Sequence, residues 1–146
     1  MLIVSQNLTN YDMDIPQHAV FRVNLAWIND LKELEVILEK HKTHKIFLDL
    51  PTNRTKPPNN KYDITELSPI INSHQNIKYF AVSNINSLDD LEIYFNIIPK
   101  HVTIVPKIES VKGVSNIKQI TDALADDKII MFDHDDLYSS IIKSKQ

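Results

Sequence analysis

The chain has 146 residues, of which 42% are hydrophobic, and its formal net charge at pH 7 is -3. This length suffices for one domain with a sizeable core, and the mixed charges give no reason to expect nucleic acid or a membrane as a partner. With no cysteine and a single glycine, the sequence excludes disulfides, thiolate metal sites and glycine-rich phosphate loops. No apolar run approaches the roughly 20 residues of a membrane span. We therefore expect a single domain over 1–146 in a cytoplasmic protein.

Short β-rich runs recur along the chain and alternate with helix signals. The predicted strands, in chain order, cover 2–4, 19–23, 45–50, 77–82, 102–107 and 129–132. Several are nearly all apolar, as parallel strands buried on both faces should be. Such alternation predicts right-handed βαβ units and a parallel sheet. A closed eight-stranded barrel usually needs about 250 residues. The predicted fold class is therefore α/β, with parallel β/α units forming a partial TIM barrel of about six strands.

Helix signals lie between these strands. Asp30 and Glu33 form a capping box that opens the first helix. Further helices are predicted over 63–73, from Ser87 with Asp90, over 114–124 with Ser115 as its cap, and from 137 onward. Pro69 is expected to bend the second helix or delay its start. The segments 7–17 and 51–61 are predicted loops.

Several aromatic and histidine residues have structural interpretations. Trp27, Tyr94 and Phe95 are predicted to lie in the core. His41 and His44 stand three residues apart near a helix end. We expect them to interact with the helix carbonyls rather than to bind a metal.

The stretch 102–110, VTIVPKIES, carries the functional argument. Strand side chains repeat with period two, so Lys107 and Glu109 should project the same way from the end of a strand. The next apolar run opens into the carboxylates of Asp133, Asp135 and Asp136. If the two strands are parallel neighbours, their carboxyl ends lie side by side, where α/β sheets and barrels keep their ligands.

Each of these features also has a purely structural interpretation. A Lys-x-Glu pair is often a solvated ion pair, and Asp135 or Asp136 could simply cap the last helix. Arg22 could extend to the surface from its strand. Asp49 closes a buried strand and needs a partner, because an isolated buried carboxylate is costly.

Five short motifs in chain order then resemble pyruvate kinase and, more broadly, the phosphoenolpyruvate/pyruvate barrel superfamily. They are FRVN at 21–24, LDLP at 48–51 with RT at 54–55, FAVS at 80–83 with SLDD at 87–90, KIE at 107–109 with GVSN at 113–116, and HDDL at 134–137. The similarity covers about residues 19–138. The chain lacks the family's lid domain, its last two barrel strands and its C-terminal domain.

The resemblance implies a role for each matching residue. Lys107 would be the catalytic residue that acts on a phosphoryl group and an enolate. Substrate-binding roles fall to Arg22, Arg54 and Ser83. Metal-binding roles fall to Glu109, Asp136, Asn24 and Asp49. The implied ions are Mg²⁺ at Glu109 and Asp136 and, as a further candidate, K⁺ at Asn24 and Asp49.

The chain departs from the family at several of these positions. HDDL replaces the family's R-G-D-L, which removes an arginine and a glycine that lets backbone approach the ligand. Ala26 and Trp27 replace a serine and a histidine near the monovalent cation, and Thr52 replaces a glycine. Full kinase activity by this chain alone is therefore not expected.

The leading hypothesis is a pyruvate kinase-like protein that binds phosphoenolpyruvate, pyruvate or a related 2-keto acid with a divalent metal. Its chemistry would be enolate formation or phosphoryl transfer, so an active enzyme would be a Mg²⁺-dependent phosphotransferase or a pyruvate-enolate lyase. The alternatives are an aldolase or citrate-lyase-beta-like carbon–carbon lyase, and a degenerate, non-catalytic domain used for binding or assembly. Because an open six-stranded sheet exposes two edges, we also expect a homo-oligomer or a partner chain that completes the barrel.

Overall fold

The computed structural model describes residues 1–5, 14–53, 57–58, 60–125 and 127–145. Six parallel strands pair in chain order and curl into a half-barrel, with helices interleaved. The strands are β1 (Ile3–Ser5), β2 (Val20–Asn24), β3 (Lys45–Leu50), β4 (Ile77–Val82), β5 (Thr103–Ile108) and β6 (Met131–Phe132). The predicted α/β fold of about six parallel strands is confirmed.

Six α-helices connect or follow these strands in the described part of the chain. They are α1 (Leu31–Lys40), α2 (Ile64–Ser73), α3 (Glu92–Ile97), α4 (Val111–Ser115), α5 (Ile117–Asp122) and α6 (His134–Ser144). Two 3-10 turns, Leu25–Trp27 and Leu88–Leu91, add to them. Among the residues described, no helix is both long enough and apolar enough to cross a membrane.

Local capping explains where the helices begin. Asp30 accepts a hydrogen bond from the Glu33 N–H at 2.8 Å, which confirms the predicted start of α1. A second capping box, Asp63 with Glu66, starts α2 at Ile64. Pro69 therefore neither delays nor ends this helix but lies inside it.

Two predicted caps are wrong. The Ser110 side chain accepts from the Gly113 N–H at 3.0 Å and starts α4 directly after β5, so Ser115 is the last residue of that helix and not its cap. Asp133, rather than Asp135 or Asp136, caps α6. In both cases the capping residue follows the strand so closely that the connecting loop is shorter than the sequence suggested.

The sheet buries apolar side chains on both faces. The face toward the helices carries the large core, which includes the fully buried Leu34, Leu48 and Phe80. The inner face of the half-barrel carries a smaller apolar layer of Val20, Phe47, Ala81 and Val105. Two residues further along each of these strands, the same inner face turns polar with Arg22, Asp49, Ser83 and Lys107. The strand period therefore places a charged layer directly above an apolar one.

The aromatic predictions hold only in part. Tyr94 is 8% exposed and belongs to the core, whereas Trp27 is 40% and Phe95 is 38% exposed. In the described structure, the His41 ring donates no hydrogen bond to the end of α1 but stacks on Phe21 with ring centroids 4.1 Å apart. The His44 ring nitrogen Nε2 lies 3.2 Å from the Ile15 carbonyl oxygen. The predicted interaction of both rings with the helix carbonyls is therefore wrong.

The two predicted loops are irregular where they are described. Residues 14–17 precede β2, and 51–53, 57–58 and 60–61 follow β3 without helix or strand. The rest of both loops lies outside the described residues.

Candidate functional site

The charged layer above the inner core centres on Asp49, at the carboxyl end of β3. Its side chain is fully buried. The Arg22 Nε donates to Asp49 Oδ2 at 3.0 Å, and Arg22 Nη2 donates to the same oxygen. The Lys107 Nζ lies 3.5 Å from that oxygen as well. Asp49 therefore has the partners that its position required, and they are Arg22 from β2 and Lys107 from β5.

Lys107 is the second centre of this layer. It is 5% exposed, although lysine is rarely buried without partners. Its Nζ donates to Ser83 Oγ at 3.0 Å and lies 3.2 Å from Glu109 Oε1, in addition to its contact with Asp49. These acceptors match the three donors of an ammonium group. Lys107 thus ties together the carboxyl ends of β3, β4 and β5.

Glu109 lies just beyond β5 and is also buried. Burial raises the pKa of its carboxyl, whereas Lys107 and the Asn84 backbone N–H pull that pKa down and Asp133 pushes it further up. The Asn84 N–H reaches Glu109 Oε2 at 2.9 Å. A further positive charge beside Glu109 would therefore favour its ionised form.

Asn84 is a site residue that sequence reasoning missed. It adopts a left-handed backbone conformation with φ of 57°, which asparagine tolerates better than most residues. Its side-chain Nδ2 donates to the Thr52 carbonyl at 2.7 Å, which fixes the turn that aims its N–H at Glu109. The available signal was its position one residue after the FAVS motif.

Three carboxylates lie close together beside this layer, at the carboxyl ends of β5 and β6. One oxygen each from Glu109, Asp133 and Asp136 lies within 4.8 Å of the others. Asp133 was not predicted as a metal ligand, yet it stands two residues after Met131 of the inner face, so the strand period could have identified it. Asp133 Oδ1 also accepts the Asp136 N–H at 3.4 Å as the cap of α6.

These groups border a cleft of about 90 Å³ at the carboxyl ends of the strands. The residues around it are Arg22, Asn24, Pro51, Ser83, Asn84, Lys107, Glu109, Asp133 and Asp136. Together with the adjacent Asp49, and counting only residues that the structure describes, two cationic side chains face four carboxylates. A divalent cation would balance the remaining negative charge, and carboxylate oxygens are the ligands that Mg²⁺ prefers.

The structure brings most of the predicted site residues together. Arg22, Ser83, Lys107, Glu109 and Asp136 all border the cleft. Two predicted metal ligands have other partners. Asp49 pairs with the two cations instead of joining the carboxylate cluster, and Asn24 also borders the cleft but its Oδ1 accepts the Ala26 N–H at 3.0 Å. Arg54 lies outside the described residues.

A larger groove of about 600 Å³ lies at the opposite end of the strands, beside the start of β5. Its walls are mainly apolar and include Phe95, Ile98 and Leu124, with Lys100 and Asp127 as its charged residues. The described residues around it include no set of catalytic groups, so the smaller cleft is the better candidate site.

The comparisons with known proteins show the fold and not a family. No protein-family model matches this chain, and no curated protein matches it. Thirty solved chains match the structure. One is RipC from Yersinia pestis, with a TM-score of 0.56 and 19% sequence identity. The match covers 84% of this chain and 55% of RipC, so the chain spans about half the length of that protein.

The predicted membership of a pyruvate kinase-like family is therefore wrong. Neither a family model nor a curated protein supports it, and RipC, one of the solved neighbours, is only 19% identical and shows the fold alone. The five motifs are short, and each lies at or just after the carboxyl end of a strand of the sheet. Because parallel β/α folds place polar residues at those ends in any case, such motifs can recur in order without common membership.

Proposed function

We propose that this chain binds a divalent metal ion, with Mg²⁺ as the first candidate, together with a small 2-keto acid whose enolate it stabilises. The observation that carries this proposal is the convergence of the Glu109, Asp133 and Asp136 carboxylates beside the buried Lys107. Opposite charges held at the carboxyl ends of parallel strands are the arrangement that such chemistry needs.

The acidic and basic residues of the site would bind different groups. Glu109, Asp133 and Asp136 would hold the metal ion, which when bound supplies positive charge to an oxygen that becomes anionic. Lys107 offers a fixed ammonium group to the same region, and Ser83 orients it through their 3.0 Å hydrogen bond. Arg22 borders the cleft from the other side and would receive a substrate carboxylate.

The size of the cleft supports a small ligand. A cleft of about 90 Å³ is small compared with the roughly 300–1,000 Å³ of pockets for drug-sized ligands. A cleft of this size favours a compact dianion or a 2-keto acid over a nucleotide. A carbon–carbon lyase would form the same enolate. The lyase activity therefore stays a prediction beside phosphoryl transfer. A K⁺ ion at Asp49 is not needed, because Arg22 and Lys107 already supply positive charge to this carboxylate.

A second candidate is a non-catalytic domain that keeps the charged layer for structural reasons. The specific observation in its favour is that Lys107 already contacts Asp49, Ser83 and Glu109. In that case the layer would serve only to hold the strand ends together, and no ligand would bind at the cleft.

Calorimetric titration of oxalate, a mimic of the pyruvate enolate, separates the two candidates. We expect oxalate to bind only in the presence of Mg²⁺, and Glu109→Gln to weaken Mg²⁺ binding by about tenfold or more because it removes one charged ligand. Since burial raises the pKa of Glu109 and metal binding requires its ionised form, Mg²⁺ affinity should also rise as the pH increases above 4.5.

The matched control is Glu92→Gln, which makes the same change at an exposed residue of α3. This variant should bind Mg²⁺ as the wild type does. If neither Mg²⁺ nor oxalate binds the wild-type chain, the metal-dependent function is wrong and the structural role of the charged layer remains.

A further inference from the structure

Among the described α-helices, α6 is the one that has no buried residue. It runs over eleven residues, His134–Ser144, and none of them is buried. Tyr138 is 65% and Ile142 is 42% exposed, although both are large and apolar. An amphipathic helix normally buries its apolar face, so this exposure suggests a surface that meets another molecule.

Three exposed residues of α6 and its C-cap residue lie along one stripe. Asp135, Tyr138, Ile142 and Lys145 follow one another at spacings of three, four and three, which places them along a single seam of a helix. We call these four residues the α6 stripe. Its acidic end lies in the first turn, its basic end lies at the C-cap, and its two apolar residues lie between them.

The α6 stripe points away from the rest of the fold. The Val111 N–H donates to Ser140 Oγ at 3.2 Å, which holds α6 against α4. Ser140 is two residues from both Tyr138 and Ile142, so it projects about 200° around the helix from each of them. Occupation of the stripe would therefore leave the contact between α6 and α4 in place.

We propose that the α6 stripe is the contact with a second copy of this chain, with the two helices antiparallel about a two-fold axis. In that arrangement Asp135 faces Lys145 of the partner subunit, and Tyr138 faces Ile142 of the partner subunit. The same two pairings repeat on the other side of the axis, as an isologous interface requires. A parallel arrangement would instead place like charges together, and antiparallel helix dipoles favour the first arrangement.

This charge pattern is what selects a second copy as the occupant. A helix with one charge sign at each end and apolar residues in the middle is complementary to itself when reversed. The proposal does not depend on metal binding, because none of the four residues of the stripe belongs to the carboxylate cluster or borders the cleft.

Mass measurement by light scattering or sedimentation equilibrium tests the proposal on the whole chain. Over about a hundredfold range of concentration, the mass should rise from 16.9 kDa toward twice that value, because dimerisation follows mass action. Asp135→Lys and Lys145→Glu should each weaken the dimer by about tenfold, since each replaces two attractions by two repulsions. Mixing these two variants should restore dimerisation, because every charged pair across the interface is then opposite again.

The apolar part of the stripe has its own test and control. Tyr138→Glu should abolish dimerisation at concentrations where the wild type is dimeric. Val36→Glu, on α1, makes a similar change at a residue that is 68% exposed and should leave the dimer intact. A chain that stays monomeric throughout the range would overturn the proposal. So would a dimer that Asp135→Lys, Lys145→Glu and Tyr138→Glu leave unchanged, because its contact would then lie elsewhere.

Discussion

At the scale of single residues, the charged layer shows how a buried ion network depends on all its members. Asp49 is fully buried and is acceptable there only because Arg22 and Lys107 contact it. Lys107 in turn has acceptors on Ser83 and Glu109. The sequence predicted that Asp49 needs a partner, and the structure supplies two.

Replacing Asp49 should therefore destabilise the protein strongly. We expect Asp49→Asn to lower the free energy of unfolding by about 3–5 kcal/mol, because Arg22 and Lys107 would lose their buried counterion. Urea unfolding monitored by circular dichroism measures this change.

The control for that variant is Asp122→Asn. Asp122 pairs with Lys118 at 2.6 Å, but both side chains are largely exposed, so the change should be small. Equal effects of the two substitutions would show that the layer is not held together by its charges.

At the scale of secondary-structure elements, α4 shows why the chain keeps its single glycine. The helix starts directly after β5 and passes close to the connection that follows β4. A Cβ atom at Gly113 would lie 2.7 Å from the backbone oxygen of Ile85 and 3.2 Å from Ile108 Cγ2. Glycine is required here by close approach, because the backbone oxygen cannot move away as a flexible side chain could.

Gly113→Ala is accordingly expected to destabilise the protein although alanine favours helices. Overpacking should lower the free energy of unfolding by about 1–3 kcal/mol. This loss should exceed the gain of about 1 kcal/mol that alanine brings to a helix interior. Thermal unfolding measures the result, and Lys112→Ala at an exposed neighbouring position is the control. A stabilised Gly113→Ala variant would mean that α4 does not approach Ile85 so closely.

At the scale of the whole molecule, the buried His41 packs against the hydrophobic core of the half-barrel. This residue is 6% exposed and stacks on Phe21 of β2. In the described part of the chain, neither ring nitrogen has a hydrogen-bond partner. Burial, together with the nearby His44 and Lys40, lowers the pKa of His41. Protonation of this ring therefore opposes folding of the entire domain.

The stability of the whole domain should accordingly depend on pH. Because the pKa of His41 is lowered in the folded state, the unfolded chain binds more protons as the pH falls through 6.5. We expect the free energy of unfolding to decrease between neutral and mildly acidic pH, and His41→Phe to reduce this decrease. Urea midpoints of both proteins across this range provide the measurement. The same slope in both proteins would show that His41 does not cause it.

The sequence by itself determined the features that depend on residues close together along the chain, such as strands and helix caps. Alternating apolar runs and caps such as Asp30 predicted the parallel fold, and the strand period placed Lys107 and Glu109 on one face. Only the tertiary structure decided that Arg22 and Lys107 share Asp49 and that Asp133 joins Glu109. The physical reason is that hydrogen bonds, ion pairs and burial depend on distances between strands far apart in the sequence. Short motifs carry no such distances, which is why the five motifs fitted the strand ends while the family they suggested was wrong.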